Sequence, residues 1–270
     1  MMVVIVSGCA NQGENNQNEA NKAAPENPQI TLATTTSTYD SGLLDEVIPA
    51  FEKETGYEVQ ILSKGTGASL ELGKRGDADV LLVHAKDREL KLVDEGYFVD
   101  RKDVIYNDFI FIGPSNDPAE IKGMEKAAAA LKKIEETKSS FVSRGDNSGT
   151  NMKEISIWSQ AGIEPSGDWY MAVGQGMGEA LRITDEKKAY TMTDRGTYLS
   201  MKDKMSLEVL VEGDPILFNQ YGIMAVNPEK HDVNYVGAKA LIDFMVSDKG
   251  QEMIGNYNKY GEQLFVPNAA

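Results

Sequence analysis

The stretch QITLATTTSTYDSGLLDEVIPAFEKETGYEVQIL, residues 29–62, predicts a strand, a helix and a second strand in direct succession. The first strand ends in a run of hydroxyl residues. In the helical part, apolar residues recur every three or four positions from Leu43 to Phe51, as on one face of a helix, and a glycine follows. The same alternation continues to about residue 96. It predicts an α/β fold with a largely parallel sheet and helices on both of its faces.

A second α/β set begins with the apolar strand at 107–114 and continues through the middle of the chain. Such a chain can fold as one sheet or as two α/β lobes. Two strands, 107–113 and 217–226, are candidates for crossing between lobes. Ligands in open α/β sheets bind outside the carboxyl ends of the strands, so two lobes would place two such ends face to face across a cleft.

Composition excludes some classes of protein. The formal net charge is −15, with 41% hydrophobic and 26% charged residues, which is ordinary for a soluble globular protein. Binding to the phosphate backbone of a nucleic acid requires clustered Lys and Arg. The sequence has no such basic stripe, so we expect no nucleic-acid partner. Cys9 is the only cysteine, which makes a disulfide framework impossible and argues against a cysteine metal cluster.

The amino-terminal segment indicates an extracytoplasmic, lipid-anchored protein. In VVIVSGCANQ, an apolar run and Ser-Gly precede Cys9, which resembles the site of lipid attachment in bacterial lipoproteins. Residues 1–9 would then be the remnant of a lipoprotein signal, with a true start upstream of Met1; otherwise Cys9 is incidental. Residues 10–29 are polar and predict a flexible tether. No apolar run is long enough to span a bilayer.

Four predicted turns between strand and helix are rich in hydrogen-bond donors. They are TTTST (34–38), SKGTGAS (63–69), SRGDNSGTN (143–151) and YTMTDRGTY (190–198). Each alone is explained as a helix cap, because Ser, Thr, Asn and Asp are favoured there. Together, their hydroxyls, backbone N–H groups and the guanidinium of Arg144 could surround a small anion, since burial of a dianion requires a complete set of donors.

These motifs resemble those of the tungstate-binding proteins of ABC importers, which are type II periplasmic-binding proteins related to molybdate binders. The similarity runs from about Thr31 to the end of the chain. It implies an α/β fold of two lobes with mixed sheets flanked by helices, lobe I at 30–110 plus 218–270 and lobe II at 111–217. A tungstate or molybdate oxyanion would bind in the cleft between the lobes and pass to an ABC permease. We expect a monomer without a cofactor or resident metal ion.

The resemblance also implies the ligand contacts, and most of them lie in the first three turns. The fourth turn contributes one, the strand-end hydroxyl of Thr193, which could equally serve the packing of its lobe. The implied contacts are Thr35, Thr36, Ser37, Thr66, Gly67, Ala68, Ser69, Arg144, Ser148, Gly149, Thr150 and Thr193.

Two alternatives stay open at this point. Phosphate-binding proteins of the same superfamily carry a similar turn, and hydrogen phosphate needs an acceptor for its proton, which Asp146 could supply; otherwise Asp146 caps the turn and orients Arg144.

A hydrolase could use Ser148 as a nucleophile, which requires a base, usually His, within hydrogen-bond reach. His84 ends an apolar strand and is expected to be structural or at a cleft edge, and His231 lies in a polar loop.

Overall fold

The computed structural model describes residues 24–269, and its first part alternates strands and helices as the sequence predicts. Cys9, the predicted signal and residues 10–23 of the predicted tether lie outside the described residues. The last three residues of the hydroxyl run begin a short helix, which Gly42, with a φ of 85°, separates from the next one. These first elements are β1 (Gln29–Thr35), α1 (Thr36–Ser41), α2 (Leu43–Thr55), β2 (Glu58–Lys64), α3 (Thr66–Arg75), β3 (Val80–Val83) and α4 (Lys86–Asp94).

A strand of 17 residues, β4 (Phe98–Pro114), leads into the second part of the fold. The elements that follow are α5 (Ala127–Thr137), β5 (Phe141–Ser143), α6 (Gly149–Gln160), β6 (Tyr170–Ala172), α7 (Met177–Lys187), β7 (Thr191–Asp194), α8 (Arg195–Met201) and β8 (Leu207–Val211). The chain then returns through β9 (Phe218–Val226), α9 (Tyr235–Val246), α10 (Asp248–Asn256), β10 (Asn258–Lys259), β11 (Glu262–Gln263) and β12 (Val266–Pro267). Short 3₁₀ turns lie at Lys202–Lys204 and Pro215–Leu217.

The main sheet is mixed. β1 pairs in parallel with β2 and β3, whereas β9 lies between β3 and β4 and is antiparallel to both. The α/β class with mixed sheets is confirmed, and so is the parallel pairing predicted for the strands of the first part. The sheet as a whole is not largely parallel, because β9 comes back from the second part of the chain in the opposite direction, which local periodicity does not reveal.

Neighbouring side chains of the sheet point into different cores. Leu32 of β1 belongs to a buried cluster with residues of α2 and α9, whereas the adjacent Ala33 belongs to another cluster with α3. In β4, Phe111 and Ile112 likewise face different clusters. Successive side chains of a strand point to opposite faces of the sheet, so a strand that is covered on both faces contributes alternately to two cores.

β4 connects the two lobes of this fold. Its first part pairs with β9 as far as Asp108, which lies opposite Phe218, and from Phe109 onward it pairs with β7 and β8. One continuous strand therefore takes part in both halves of the sheet. The lobe boundaries given above, at 110/111 and 217/218, stay predictions.

Three local features differ from the sequence predictions. The last residues of the predicted tether are held by the folded part, because Asn234 Nδ2 donates to the carbonyls of Asn27 at 2.9 Å and Gln29 at 2.7 Å. The stretch AEIKGMEKAAAALKKIEE, residues 119–136, predicts one helix, but α5 starts only at Ala127. The stretch 235–257 likewise predicts one carboxyl-terminal helix, which is broken at Ser247, the cap of α10. Among residues 24–269, no helix combines the length and apolar character needed to cross a bilayer.

Candidate functional site

A cavity of about 660 Å³, here called the cleft cavity, lies where strands of both lobes end and helices begin. Ten predicted contacts line it: Thr35, Thr36, Ser37, Thr66, Gly67, Ala68, Arg144, Ser148, Gly149 and Thr150. Three of the four donor-rich turns, which are far apart in sequence, therefore face one space.

Two of the predicted positions lie outside the lining of the cleft cavity. Ser69 and Thr193 are fully buried. Ser69 Oγ donates to the carbonyl of Thr34 at 2.8 Å, and Thr193 Oγ1 donates to the carbonyl of Asp194 at 3.1 Å. Their hydroxyls are engaged with the backbone of the lobes, so in this structure they support the turns.

The three consecutive threonines of the first turn have three different tasks. Thr34 Oγ1 donates to the carbonyl of Leu82 at 2.8 Å and ties β1 to β3. Thr35 caps α1, because its Oγ1 accepts from the N–H of Thr38 at 3.3 Å and lies 2.6 Å from Thr38 Oγ1. Thr36 is exposed, and its hydroxyl has no hydrogen-bond partner among the described residues. Thr36 is therefore free to donate to a ligand.

The second turn presents an uncapped helix start. Gly65 stands at the N-cap position of α3, so no side chain caps this ten-residue helix. The first backbone bond of the helix runs from Ser69 N to Gly65 O at 2.9 Å. The N–H groups of Thr66, Gly67 and Ala68 are thus left without intrahelical partners, at the end of the helix that carries positive partial charge.

The third turn carries a guanidinium with a free donor. Arg144 Nη2 donates to Asp146 Oδ2 at 2.5 Å, and Asp146 Oδ1 accepts from the N–H of Ser148 at 3.1 Å. Arg144 Nε is buried and has no partner among residues 24–269. Gly145 allows this tight bend: its φ is 61°, and a Cβ there would lie 2.8 Å from Ala172 Cβ.

A buried carboxylate braces the same turn. Glu154, 3% exposed, accepts from Ser143 Oγ at 2.7 Å, Trp158 Nε1 at 3.0 Å and the Tyr170 hydroxyl at 2.8 Å. Asn151 Nδ2 donates to Ser143 Oγ at 3.1 Å and so joins the turn to this network. Burial raises the pKa of Glu154, although these hydrogen bonds act in the opposite direction.

The role of Asp146 bears on the phosphate alternative. Burial favours the neutral acid, but hydrogen bonds from Ser148 and the positive charge of Arg144 outweigh it and lower the pKa of Asp146. The carboxylate is thus ionised near neutral pH, both of its oxygens accept bonds within the turn, and it is absent from the lining of the cleft cavity. Asp146 therefore caps the turn and orients Arg144.

The fourth turn contributes Asp194 to the cleft cavity, next to the predicted Thr193. Asp194 caps α8: its Oδ1 accepts from the N–H of Thr197 at 2.8 Å, and its Oδ2 accepts from Thr197 Oγ1 at 2.7 Å. Both oxygens are occupied by the cap, which restricts the carboxylate as an acceptor for a ligand.

Comparison with known proteins places this geometry in a family. A family model described as a PBP superfamily domain matches residues 22–249. The tungstate-binding protein TupA of Peptoclostridium acidaminophilum is 50% identical over 275 residues, which cover 100% of this chain and 96% of the relative. The chain belongs to the PBP superfamily, in the family of the TupA proteins.

Solved structures of this PBP family have the same fold. The tungstate-binding protein TupA of Desulfovibrio alaskensis G20 is 46% identical, with a TM-score of 0.85 over 90% of this chain and 100% of its own. The structure described as the tungstate ABC transporter from Geobacter sulfurreducens is 48% identical, with a TM-score of 0.75 over 85% of this chain and 98% of its own. The two-lobe type II fold is thereby confirmed.

One further junction of the PBP chain contributes to the lining: His84, for which a cleft edge was one of the two expected positions, and Arg88, which the sequence motifs did not reveal. The β3–α4 turn supplies His84 and Arg88 to the cleft cavity. The four donor-rich turns are marked by hydroxyl residues and glycines, and VHAKDR contains neither; its position after a buried strand was the available signal. Arg88 is exposed and makes no ion pair within the described part of the chain, and a Cβ on Gly67 would lie 3.5 Å from its Nη2.

Other lining residues come from the crossing strands and the carboxyl-terminal hairpin of this PBP fold. Asn219 Nδ2 donates to Asn107 Oδ1 at 2.9 Å, across the pair β4–β9. Lys259 Nζ donates to the carbonyls of Asp40 at 3.0 Å and Ser41 at 2.7 Å, and so holds the end of α1. These contacts join residues more than a hundred positions apart, which no local motif indicates.

Proposed function

We propose that this protein is the solute-binding component of an ABC importer, which captures a tungstate oxyanion, with molybdate as an alternative, between its two lobes and delivers it to a membrane permease. The proposal rests on the site and on family membership, since relatives at about half identity are named for tungstate binding. The contacts proposed are the ten predicted residues that line the cleft cavity, with Ser69 and Thr193 as supports of their turns.

The observation that carries the proposal is the buried Nε of Arg144, which has no partner among the described residues. An unsatisfied buried donor is costly unless a ligand completes it. The free hydroxyl of Thr36 and the unpaired N–H groups at the start of α3 belong to residues that line the same cavity as Arg144. Cationic, hydroxyl and amide donors converging on one cavity suit an anion that only accepts hydrogen bonds.

The choice of a fully deprotonated oxyanion follows from Asp146. Hydrogen phosphate must donate a proton to an acceptor, whereas tungstate, molybdate and sulfate at neutral pH have none to give. Both oxygens of Asp146 already accept bonds inside their own turn. This engagement disfavours the phosphate alternative.

Competition calorimetry on the folded domain, residues 24–270 with a start methionine, tests the proposal. Tungstate and molybdate should bind tightly, sulfate weakly and phosphate weakest. Tight phosphate binding without tungstate binding would overturn the choice of ligand, and absence of heat with all four oxyanions would overturn the function.

We propose no catalytic activity. The Oγ of Ser148 accepts from the N–H of Asn151 at 3.3 Å as the cap of α6. Among residues 24–269, the hydroxyl within hydrogen-bond reach of a histidine is that of Ser37, whose Oγ is 3.4 Å from His84 Nε2. A panel of ester and phosphoester substrates should therefore show no turnover, and turnover that is lost in Ser37→Ala would contradict this.

The proposal has three further parts. The protein is attached to a membrane through lipidated Cys9, it is extracytoplasmic, and it is a monomer. The polar composition of residues 10–23 supports a tether between the anchor and the folded domain. Metabolic labelling with a fatty acid should mark the wild-type protein and not Cys9→Ser, and light scattering of the soluble domain should give the mass of one chain.

A further inference from the structure

His84 is held between three parts of the cleft cavity. It follows directly after β3, and its ring centroid is 4.9 Å from that of Tyr221 on β9. Its Nε2 lies 3.4 Å from Ser37 Oγ of the first turn. From the other lobe, a Cβ on Gly149 would lie 3.5 Å from His84 Cε1. The ring thus lies beside Ser37 of the first lobe and close to the start of α6 in the other lobe.

The hydrogen bond between His84 and Ser37 is weak. A distance of 3.4 Å is long for a hydrogen bond between a hydroxyl and an imidazole, so little is lost when a ligand oxygen replaces it. Burial lowers the pKa of His84, against the opposing effects of Asn219 and Asp194, so the ring is neutral near neutral pH. A neutral imidazole carries one N–H and is a suitable donor to an oxyanion.

We propose that His84 is a further ligand-binding residue of this site, which donates a hydrogen bond from its imidazole to the oxyanion and contacts Gly149 when both lobes enclose the ion. This inference rests on the proposed function and deepens it. It gives the β3–α4 junction a direct part in recognition.

The two histidines of the chain provide an internally controlled test. His231 is the matched control: its Nε2 lies 2.8 Å from the carbonyl of Lys74, and it does not line the cleft cavity. Long-range ¹H–¹⁵N spectra of the imidazoles would contain two signal sets, assigned with His231→Gln. Addition of sodium tungstate should shift the ring nitrogens of His84 and hold one tautomer, while those of His231 stay unchanged.

Calorimetry with three variants separates the hydrogen bond from packing. His84→Ala should weaken tungstate binding about three- to tenfold, the range for one neutral hydrogen bond. His84→Phe keeps a ring against Tyr221 without a donor and should lose as much, whereas His84→Gln should recover part of the affinity. His231→Gln should bind as the wild type does.

The outcomes distinguish this inference from the proposed function. If the wild type binds tungstate while the His84 signals do not move and His84→Phe binds equally well, His84 is a packing residue and the inference is wrong. If the wild type binds none of the oxyanions, the proposed function itself fails. Because the spectra are recorded on wild-type protein, a variant that does not fold leaves the test intact.

Discussion

The two halves of the candidate site present donors in different ways. In the first lobe, the turn at Thr35–Ser37 and the uncapped start of α3 offer neutral hydroxyl and amide groups. In the second lobe, the turn before α6 offers a guanidinium, held by Asp146 and braced from below by buried Glu154. One half has loosely engaged neutral donors, and the other has one charged donor in a rigid setting.

This difference has a physical reason. A guanidinium in a cavity must be oriented and partly neutralised before a ligand arrives, which takes a carboxylate and a network behind it. Hydroxyl and amide donors need no counter-charge, so their turns can be short and exposed. We therefore expect substitutions in the second-lobe half to have large effects on affinity or stability, and substitutions in the first-lobe half to have small ones.

The largest effect is expected for Arg144→Ala. Removal of the charged donor should reduce tungstate affinity by about 2–5 kcal/mol, the range for truncating one partner of a buried charge pair. The unfolding free energy should change by less than about 1 kcal/mol, because the pair with Asp146 is partly exposed. Calorimetry and thermal unfolding measure both. Arg182→Ala, which removes an exposed pair with Glu179, is the control, and an unchanged affinity in Arg144→Ala would place this arginine outside the site.

Glu154→Gln tests the brace of the second-lobe turn. Both side-chain oxygens of Glu154 are hydrogen-bonded in the network, and an amide places an NH₂ group at one of these two positions, so the unfolding free energy should fall by about 1–3 kcal/mol near pH 5. Exposed Glu136→Gln should stay within about 0.5 kcal/mol of the wild type. Equal stability of Glu154→Gln and wild type in denaturant unfolding would show that the brace is dispensable.

The difference in unfolding free energy between the wild type and Glu154→Gln should change with pH in a definite direction. The pKa of Glu154 is raised in the folded state, so the folded protein holds this proton more tightly than the unfolded chain does. The resulting contribution to stability is present at low pH and is lost as the pH rises through the folded-state pKa. The advantage of the wild type over Glu154→Gln should therefore shrink with rising pH; a growing advantage would contradict the direction of this shift.

The sequence predicted most of the first-lobe half and less of what surrounds the second. Thr36 and Gly67 lie in turns whose local composition indicates both the start of a helix and the free hydrogen-bond donors. By contrast, the brace needs Glu154 and Tyr170 to meet across a loop, and Asn107 meets Asn219 only through the pairing of crossing strands. Such contacts depend on tertiary structure, and neither the local composition nor the hydrophobic periodicity of the sequence predicts them.

A smaller effect separates two neighbouring threonines of the first-lobe half. Thr36→Val removes a hydroxyl without a protein partner and should weaken tungstate binding by about 0.5–1.5 kcal/mol with little change in stability. Thr34→Val removes the bond to the carbonyl of Leu82 and should lower the unfolding free energy by a similar amount with little change in affinity. Measured together, the two variants should show opposite patterns. The same pattern in both would mean that the turn acts as one unit.

The smallest effect is expected for Arg88→Gln. This variant tests whether a positively charged side chain of the first lobe contributes to tungstate binding. Arg88 is exposed beside the uncapped start of α3, an arrangement of positive charge that favours an anion. Because water and salt screen an exposed charge, its loss should weaken tungstate binding by only about 0.2–1 kcal/mol at low salt, and by less at high salt. Arg75→Gln, which removes an exposed arginine paired with Asp77, should leave binding unchanged. A loss for Arg88→Gln as large as that for Arg144→Ala, and independent of salt, would mean that the ion is held by two direct guanidinium contacts, one from each lobe.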